Sequence, residues 1–291
     1  MKTLYLECNM GVAGDMLMSA LLDLTGDAEE CMKSLNALGI PKVVYEKTSA
    51  IKCGITGTHV SVKIDGTEEQ CQNVLTQKNI LEVHDHTHHG KKEEIHMHGN
   101  IGEEKEHVHK HGHHHSTMKE ISEIVQNLDT TDQVKNDTLY IYKQIAEAES
   151  RIHGHPVEEV HFHEVGALDA IADIVGCAWL IRHIAPEKIA ASPVATGFGM
   201  VRCAHGILPV PAPATGILLE GIPNYAGGIE GELCTPTGAA ILKYFVDDFS
   251  QRPLMKITGT GYGTGTKEFP AANILRVFLG ETSEEERRKA V

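Results

Sequence analysis

Apolar positions along this chain switch between a period of two and a period near 3.6, and the switches divide it into strands and helices. Residues 3–7 form a short apolar run that predicts a buried strand. The turn Cys8-Asn9-Met10-Gly11-Val12-Ala13-Gly14 follows; Met16, Ala20, Leu21 and Leu24 then recur at helical spacing and predict a helix with Asp15 in its first turn. A second helix is predicted over 27–38, stopped by Gly39-Ile40-Pro41, and residues 42–64 alternate as a hairpin around a Gly54–Gly57 turn. Helices are predicted over 117–128 and 132–153, the second carrying Val134, Leu139, Ile141, Ile145 and Ile152. Leu168, Ile171, Ala172, Val175, Ala178 and Trp179 give a broad apolar face to another helix, which runs to about 184.

The last third is rich in glycine and proline, so short elements joined by shaped loops are expected there. Thr235-Pro236-Thr237-Gly238 opens a helix to about 246, and 273–279 reads as a final strand. Between residues 66 and 116 the pattern vanishes: the chain is polar and holds His84, His86, His88, His89, His96, His98, His107, His109, His111, His113, His114 and His115. Such a segment buries too little apolar area to offset roughly 1–2 kcal/mol of backbone entropy per ordered residue. The expectation is an α/β chain of mixed strands and helices: a compact core with its first part at 1–82 and its second at 117–280, interrupted by a disordered His-rich insertion at 83–116 and followed by a charged tail at 281–291.

At 291 residues the chain can bury roughly 75% of the surface its unfolded form exposes, enough for a core without staples. A formal charge of −14 with few basic clusters argues against nucleic acid or an anionic membrane as partner. The twelve imidazoles of the tract change this little, since together they carry only about three positive charges at pH 7. The seven cysteines are odd in number, widely spread and without a Cys-x-x-Cys pair, which favours reduced thiols. The start reaches Glu7 too soon for a signal peptide and no apolar run approaches a membrane span, so a cytoplasmic location is expected.

Candidate chemistry centres on His161-Phe162-His163-Glu164-Val165-Gly166, followed by Asp169 and Asp173. In an extended segment the imidazoles of His161 and His163 point the same way. Glu164 would begin the following helix, with Asp169, Asp173 and Gly176 on one stripe roughly opposite its apolar face. The cluster is a metal or catalytic site, or else a capped helix with a solvated acidic face. For the tract, imidazole suits nickel, zinc and copper, and His84, His86, His88, His89, His109, His111 and His113 are candidate ligands of a collector. Gly11 and Gly14 with Asp15 offer either a phosphate-accepting helix start or a plain cap. Gly261 and Gly263, in the run Gly259–Gly265 followed by Lys267, offer either an anion cradle or a hairpin or bulge. Cys203 and His205, preceded by Arg202, could serve a site, although closeness in sequence says little about geometry.

Five motifs, in order, carry a resemblance: Gly11-Val12-Ala13-Gly14-Asp15-Met16, His161 through Asp169, Val201-Arg202-Cys203-Ala204-His205-Gly206 through Thr215, Thr235-Pro236-Thr237-Gly238-Ala239-Ala240, and Gly259 through Gly265. Together they closely resemble the LarC family of nickel-insertion proteins, from residue 1 to about 280. The resemblance implies a CTP-dependent cyclometallase, a chelatase of the lyase type, that uses CTP with a divalent metal. It would place Ni(2+) in pyridinium-3,5-bisthiocarboxylic acid mononucleotide, forming one nickel–carbon and two nickel–sulfur bonds of the nickel-pincer cofactor of lactate racemase. Loss of the ring proton calls for a base, so Glu164, Asp169 and His205 are the candidate catalytic groups beside the metal ligands His161, His163 and Glu164. Glu7 and Asn9 depart from the family's first motif. Family members commonly continue into a C-terminal region for nucleotide binding and oligomerisation, which implies a homo-oligomer and a separate C-terminal polypeptide as partner. The alternative is a nickel store or metallochaperone without turnover, for which the tract would matter and the glycine loops would not.

Overall fold

The computed structural model describes residues 1–68, 74–75, 116–162, 165–203 and 205–282. The predicted His-rich insertion, apart from Ser116, and nearly all of the predicted tail lie outside these residues. A mixed sheet forms the base of the fold, built from β1 (Lys2–Glu7), β2 (Val43–Lys52), β3 (Ile55–Ile64), β4 (Lys188–Ala191), β5 (Asp248–Phe249), β6 (Lys256–Thr264) and β7 (Ile274–Glu281). Its order is β5-β4-β1-β7-β6-β3-β2. Neighbours β5, β4 and β1 run parallel, whereas β7 is antiparallel to both β1 and β6.

Seven helices cover the sheet among the described residues: α1 (Gly14–Leu24), α2 (Ala28–Asn36), α3 (Met118–Gln126), α4 (Asp132–His153), α5 (Leu168–Ile184), α6 (Pro213–Leu218) and α7 (Pro236–Phe245). Helix α1 lies across β3, β6 and β7; α5 packs on α1, and α4 packs on α5, α6 and α7. Met16, Leu17, Met18, Leu21 and Leu22 are all buried, because α1 is sandwiched between sheet and α5. Each such side chain contributes about 1.5–3 kcal/mol of burial. Asp137, buried on α4, accepts from Arg182 Nε at 2.6 Å and from Tyr244 Oη at 2.7 Å, which ties α4, α5 and α7 together.

The glycine run explains how α1 sits so low on the sheet. Gly259, Gly261 and Gly263 lie in β6, not in a loop. A Cβ on Gly261 would stand 2.1 Å from Ala20 O, and one on Gly263 2.0 Å from Met16 O. The face of Gly261 and Gly263 toward which a Cβ would project is therefore filled by α1, so on that side the two glycines serve helix–sheet packing. The ladder between β6 and β3 registers a single pair, Gly263 with Thr58, and Asp23 of α1 bridges the two strands. Its carboxylate accepts from Thr58 Oγ1 at 2.6 Å and from the Tyr262 amide at 2.9 Å.

A second correction concerns α5. Its first residue is Leu168, with Ala167 at the N-cap, so Glu164 does not begin it. The helix is buried over most of its surface: of the stripe of Asp169, Asp173 and Gly176, the two acids are half-buried and line a cleft, and Gly176 packs on α1. A Cβ on Gly176 would meet Met18 Sδ at 2.4 Å, and Tyr45 Oη of β2 donates to Ala172 O at 2.8 Å. Among the described residues no helix is long and apolar enough to cross a membrane.

Candidate functional site

The first turns of α1 and α5 open on one cleft of about 1200 Å³. Its walls come from β3, the C-terminal end of α4, the hairpin of strands 200–203 and 206–209, and the segments leading into α6 and α7. A second, more open groove of about 900 Å³ lies between α2 and the β2–β3 hairpin and holds none of the predicted site residues.

Carboxyl groups form the floor. Asp15 follows the first residue of α1 and Asp169 the first residue of α5; both helices have alanine at the N-cap, without a side-chain cap. The acids occupy the positive ends of these helices in place of caps, which favours their negative charge. Asp169 Oδ1 accepts from the Ala170 amide at 2.8 Å. Asp173, one turn further along α5, reaches the start of α1, where the Asp15 amide donates to it. Gly14 makes this approach possible, since a Cβ there would sit 2.6 Å from Asp173 Oδ2.

Burial, followed by the charges of Asp15 and Asp169, pushes the Asp173 carboxyl well above the usual carboxylate range. Burial also raises Asp15, opposed by the Met16 amide and by His59 and Lys267. Both shifts run upward, because two adjacent carboxylates with little access to water cannot both ionise cheaply. Asp173 Oδ1 is buried and finds no hydrogen-bond partner among the described residues. The Tyr142 hydroxyl, buried on α4 within the electrostatic reach of Asp169 and Asp173, is likewise unpartnered among the described residues.

Bases and cations stand on the walls. His153, at the end of α4, packs its ring against His205 with centroids 4.8 Å apart and planes tilted by 31°, and its Nε2 lies 3.3 Å from Glu149. Cys203 and Arg202 line the same wall. On the other side Lys267 pairs with Glu232 at 3.5 Å, and His59 reaches Thr264 O through Nδ1 at 3.1 Å. The arrangement offers imidazole, thiol and carboxylate donors to a borderline divalent cation, a guanidinium and an ammonium to an anion, and a carboxyl pair that can exchange a proton.

Of the residues singled out from the sequence, Gly14, Asp15, Asp169, His205 and Lys267 come together here. Gly11 does not line the cleft; its positive φ of 73° and its contact with the backbone at Leu233 shape the turn before α1. His161 is described only through its backbone, in the short strand His161–Phe162 that pairs with Ser116–Thr117. His163 and Glu164 lie outside the described residues, as do His84, His86, His88, His89, His109, His111 and His113. Sequence reasoning passed over His59, Glu149, His153 and Glu232. His59 sits in an ordinary alternating strand and His153 ends an amphipathic helix, so neither carries a local signal.

The chain matches the family described as "Nickel insertion protein" over residues 4–291. It is 40% identical over 288 residues to the "Pyridinium-3,5-bisthiocarboxylic acid mononucleotide nickel insertion protein" of Clostridium kluyveri, an alignment covering 99% of this chain and 64% of that protein. The protein of the same name in Clostridium acetobutylicum is 41% identical over 284 residues, covering 97% of this chain and 64% of the relative. A "Putative nickel insertion protein" of Dictyoglomus thermophilum is 37% identical over 284 residues, covering 98% and 62%. The chain thus spans less than two thirds of the length of these relatives. No solved structure matches it. Motifs, cleft chemistry and a match over nearly the whole chain agree: this chain belongs to the nickel insertion protein family.

Proposed function

We propose that this chain carries the nickel-handling part of an enzyme that inserts Ni(2+) into pyridinium-3,5-bisthiocarboxylic acid mononucleotide, in a CTP-dependent, cytoplasmic reaction that completes a nickel-pincer cofactor of the lactate racemase type. The names of the relatives support the substrate. The observation that carries the reading is the Asp173 carboxyl beside Asp15, whose Oδ1 is buried and without a hydrogen-bond partner among the described residues, in a cleft whose wall presents the His153–His205 pair.

In this reading nickel is a substrate, passed from the tract at 84–115 to donors on the cleft wall. His205 and His153 are the candidates there, and His161, His163 and Glu164 remain candidate ligands from the sequence pattern alone. Lys267 and Arg202 neutralise the mononucleotide phosphate, and the apolar lining excludes water from the ring. As the nickel–carbon bond forms, the ring carbon releases its proton, and the carboxyl pair of Asp15 and Asp173, with Asp169 behind it, takes that proton up. Two thiocarboxylate sulfurs complete the ligation. CTP and its divalent metal would be handled with a C-terminal polypeptide, within a homo-oligomer.

The test is a turnover assay of the full chain with nickel, the mononucleotide and CTP, with and without the C-terminal region, read by the mass of the metallated product. Several product molecules per chain, lost in Asp173→Asn while nickel binding persists, support the proposal. Product that never exceeds the nickel already bound, under every combination, would identify a store or metallochaperone.

A further inference from the structure

Away from the cleft, near the C-terminal ends of α1 and α5, three donors from separate turns converge. Asp27 Oδ1 accepts from Cys31 Sγ at 3.4 Å, and Asp27 Oδ2 lies 3.2 Å from His183 Nε2. One donor atom from each residue lies within 4.8 Å of the other two. A tetrahedral cation with sulfur at about 2.3 Å and nitrogen and oxygen at about 2.0–2.2 Å spaces its ligands by about 3.3–3.6 Å, so the three need close in only slightly.

The local structure departs from what capping alone would produce. Asp27 occupies the N-cap of α2, yet its side chain makes no capping bond. It turns instead to Cys31, one helical turn further on, and across to α5. Trp179 stacks on His183 at 5.1 Å with ring planes 8° apart, which fixes the imidazole that faces the carboxylate. Cys31 is buried and held protonated chiefly by that burial, whereas the His183 and Asp27 side chains are 37% and 51% exposed, so the group is open on one side only. From Asp169 to His183 is fourteen residues of helix, about 21 Å, so an ion here shares no ligand with the cleft.

We infer that Asp27, Cys31 and His183 form a second metal site, for one thiolate-binding divalent cation of the zinc or nickel kind. On binding, the thiol releases its proton to solvent, and the cation takes Cys31 Sγ, His183 Nε2 and one Asp27 oxygen; water fills the open fourth position. Thiolate and imidazole select such cations over magnesium or calcium. The tract at 84–115 contains no cysteine, so this site would hold an ion more firmly than the histidine collector does.

Cobalt(II) titration of the full chain tests the site, because a thiolate–cobalt charge-transfer band does not arise from histidine alone. The expected result is one saturating equivalent of that band. Cys31→Ser should remove it, Cys203→Ser should leave it, and His183→Ala should weaken cobalt affinity at least ~10-fold, with zinc displacing cobalt from the wild type. His183 is partly exposed, so that variant carries the test even if Cys31→Ser fails to fold. Absence of the band in the wild type would overturn the inference, as would a band that survives Cys31→Ser or an affinity unmoved by His183→Ala.

Discussion

The Cα of Gly14 packs directly against the carboxyl group of Asp173, with room for no atom between them: a Cβ on Gly14 would lie 2.6 Å from Oδ2. This contact joins the first turn of α1 to α5 and places two acids side by side under the cleft. Gly14 has no positive φ, so its substitution acts through space and not through backbone strain. Gly14→Ala should therefore cost about 1–3 kcal/mol as an overpacked contact and separate the two carboxyls. Urea unfolding together with product formation checks this; wild-type stability with wild-type turnover would mean that the contact is not needed.

The elevated Asp173 group makes stability depend on pH. Its folded form keeps a proton that the unfolded chain gives up near pH 4, so between that pH and the higher folded value the native state binds more protons. The contribution of Asp173 to stability is full below about pH 4 and is lost as pH rises through the folded value. Asp173→Asn should flatten the fall in melting temperature between pH 4 and neutrality and leave the protein as stable as wild type or more so near pH 7. A parallel pH dependence in variant and wild type would show that Asp173 ionises freely.

Packing and phosphate binding make different forecasts for the glycines of β6. Gly263→Ala puts a methyl against Met16 O, so it should destabilise the ligand-free protein by at least about 1–3 kcal/mol. Lys267→Ala, which removes one partner of a largely buried pair with Glu232, should lower stability as well but, unlike Gly263→Ala, should raise KM for the mononucleotide. Thermal melts of both variants without ligand, together with KM, separate the roles. An unchanged melt for Gly263→Ala would restore the anion-cradle reading.

Excision of 84–115 should lower the number of nickel ions bound per chain without changing turnover at saturating nickel. Wild-type binding in excess of the excised form should fade below about pH 6, because protons compete for imidazoles whose ordinary pKa is near 6.5. Equilibrium dialysis at pH 7.5 and 5.5 measures both effects. Equal stoichiometry before and after excision would remove the tract from nickel handling.

Much of the secondary structure is legible in the sequence because its causes are local. The helix predicted over 132–153 matches α4, and Thr235-Pro236 opens α7 with the Thr235 side chain accepting from the Gly238 amide. The start of α5 was misplaced toward Glu164 because the alanine at its N-cap gives no capping signal. Gly259 through Gly265 admitted two readings: alternating glycines suit a backbone approached closely by an anion or by a helix, and only the position of α1 distinguishes them.

The amino-acid sequence already contains the alternation of strands and helices, the contrast between a histidine-rich segment and apolar stretches, and the donor types available for a divalent cation. Those follow from side-chain chemistry and from periods of two and 3.6, which act within a few residues. It takes the packed fold to bring Asp15 to Asp173 and His153 to His205. The same fold brings Asp27 and Cys31 against His183, at the end of α5 away from the cleft. Apart from Asp27 and Cys31 on one helix, these pairs are far apart in the chain. Their meeting depends on how α1, α4 and α5 stack on the sheet, and that is fixed by buried contacts distributed over the whole core.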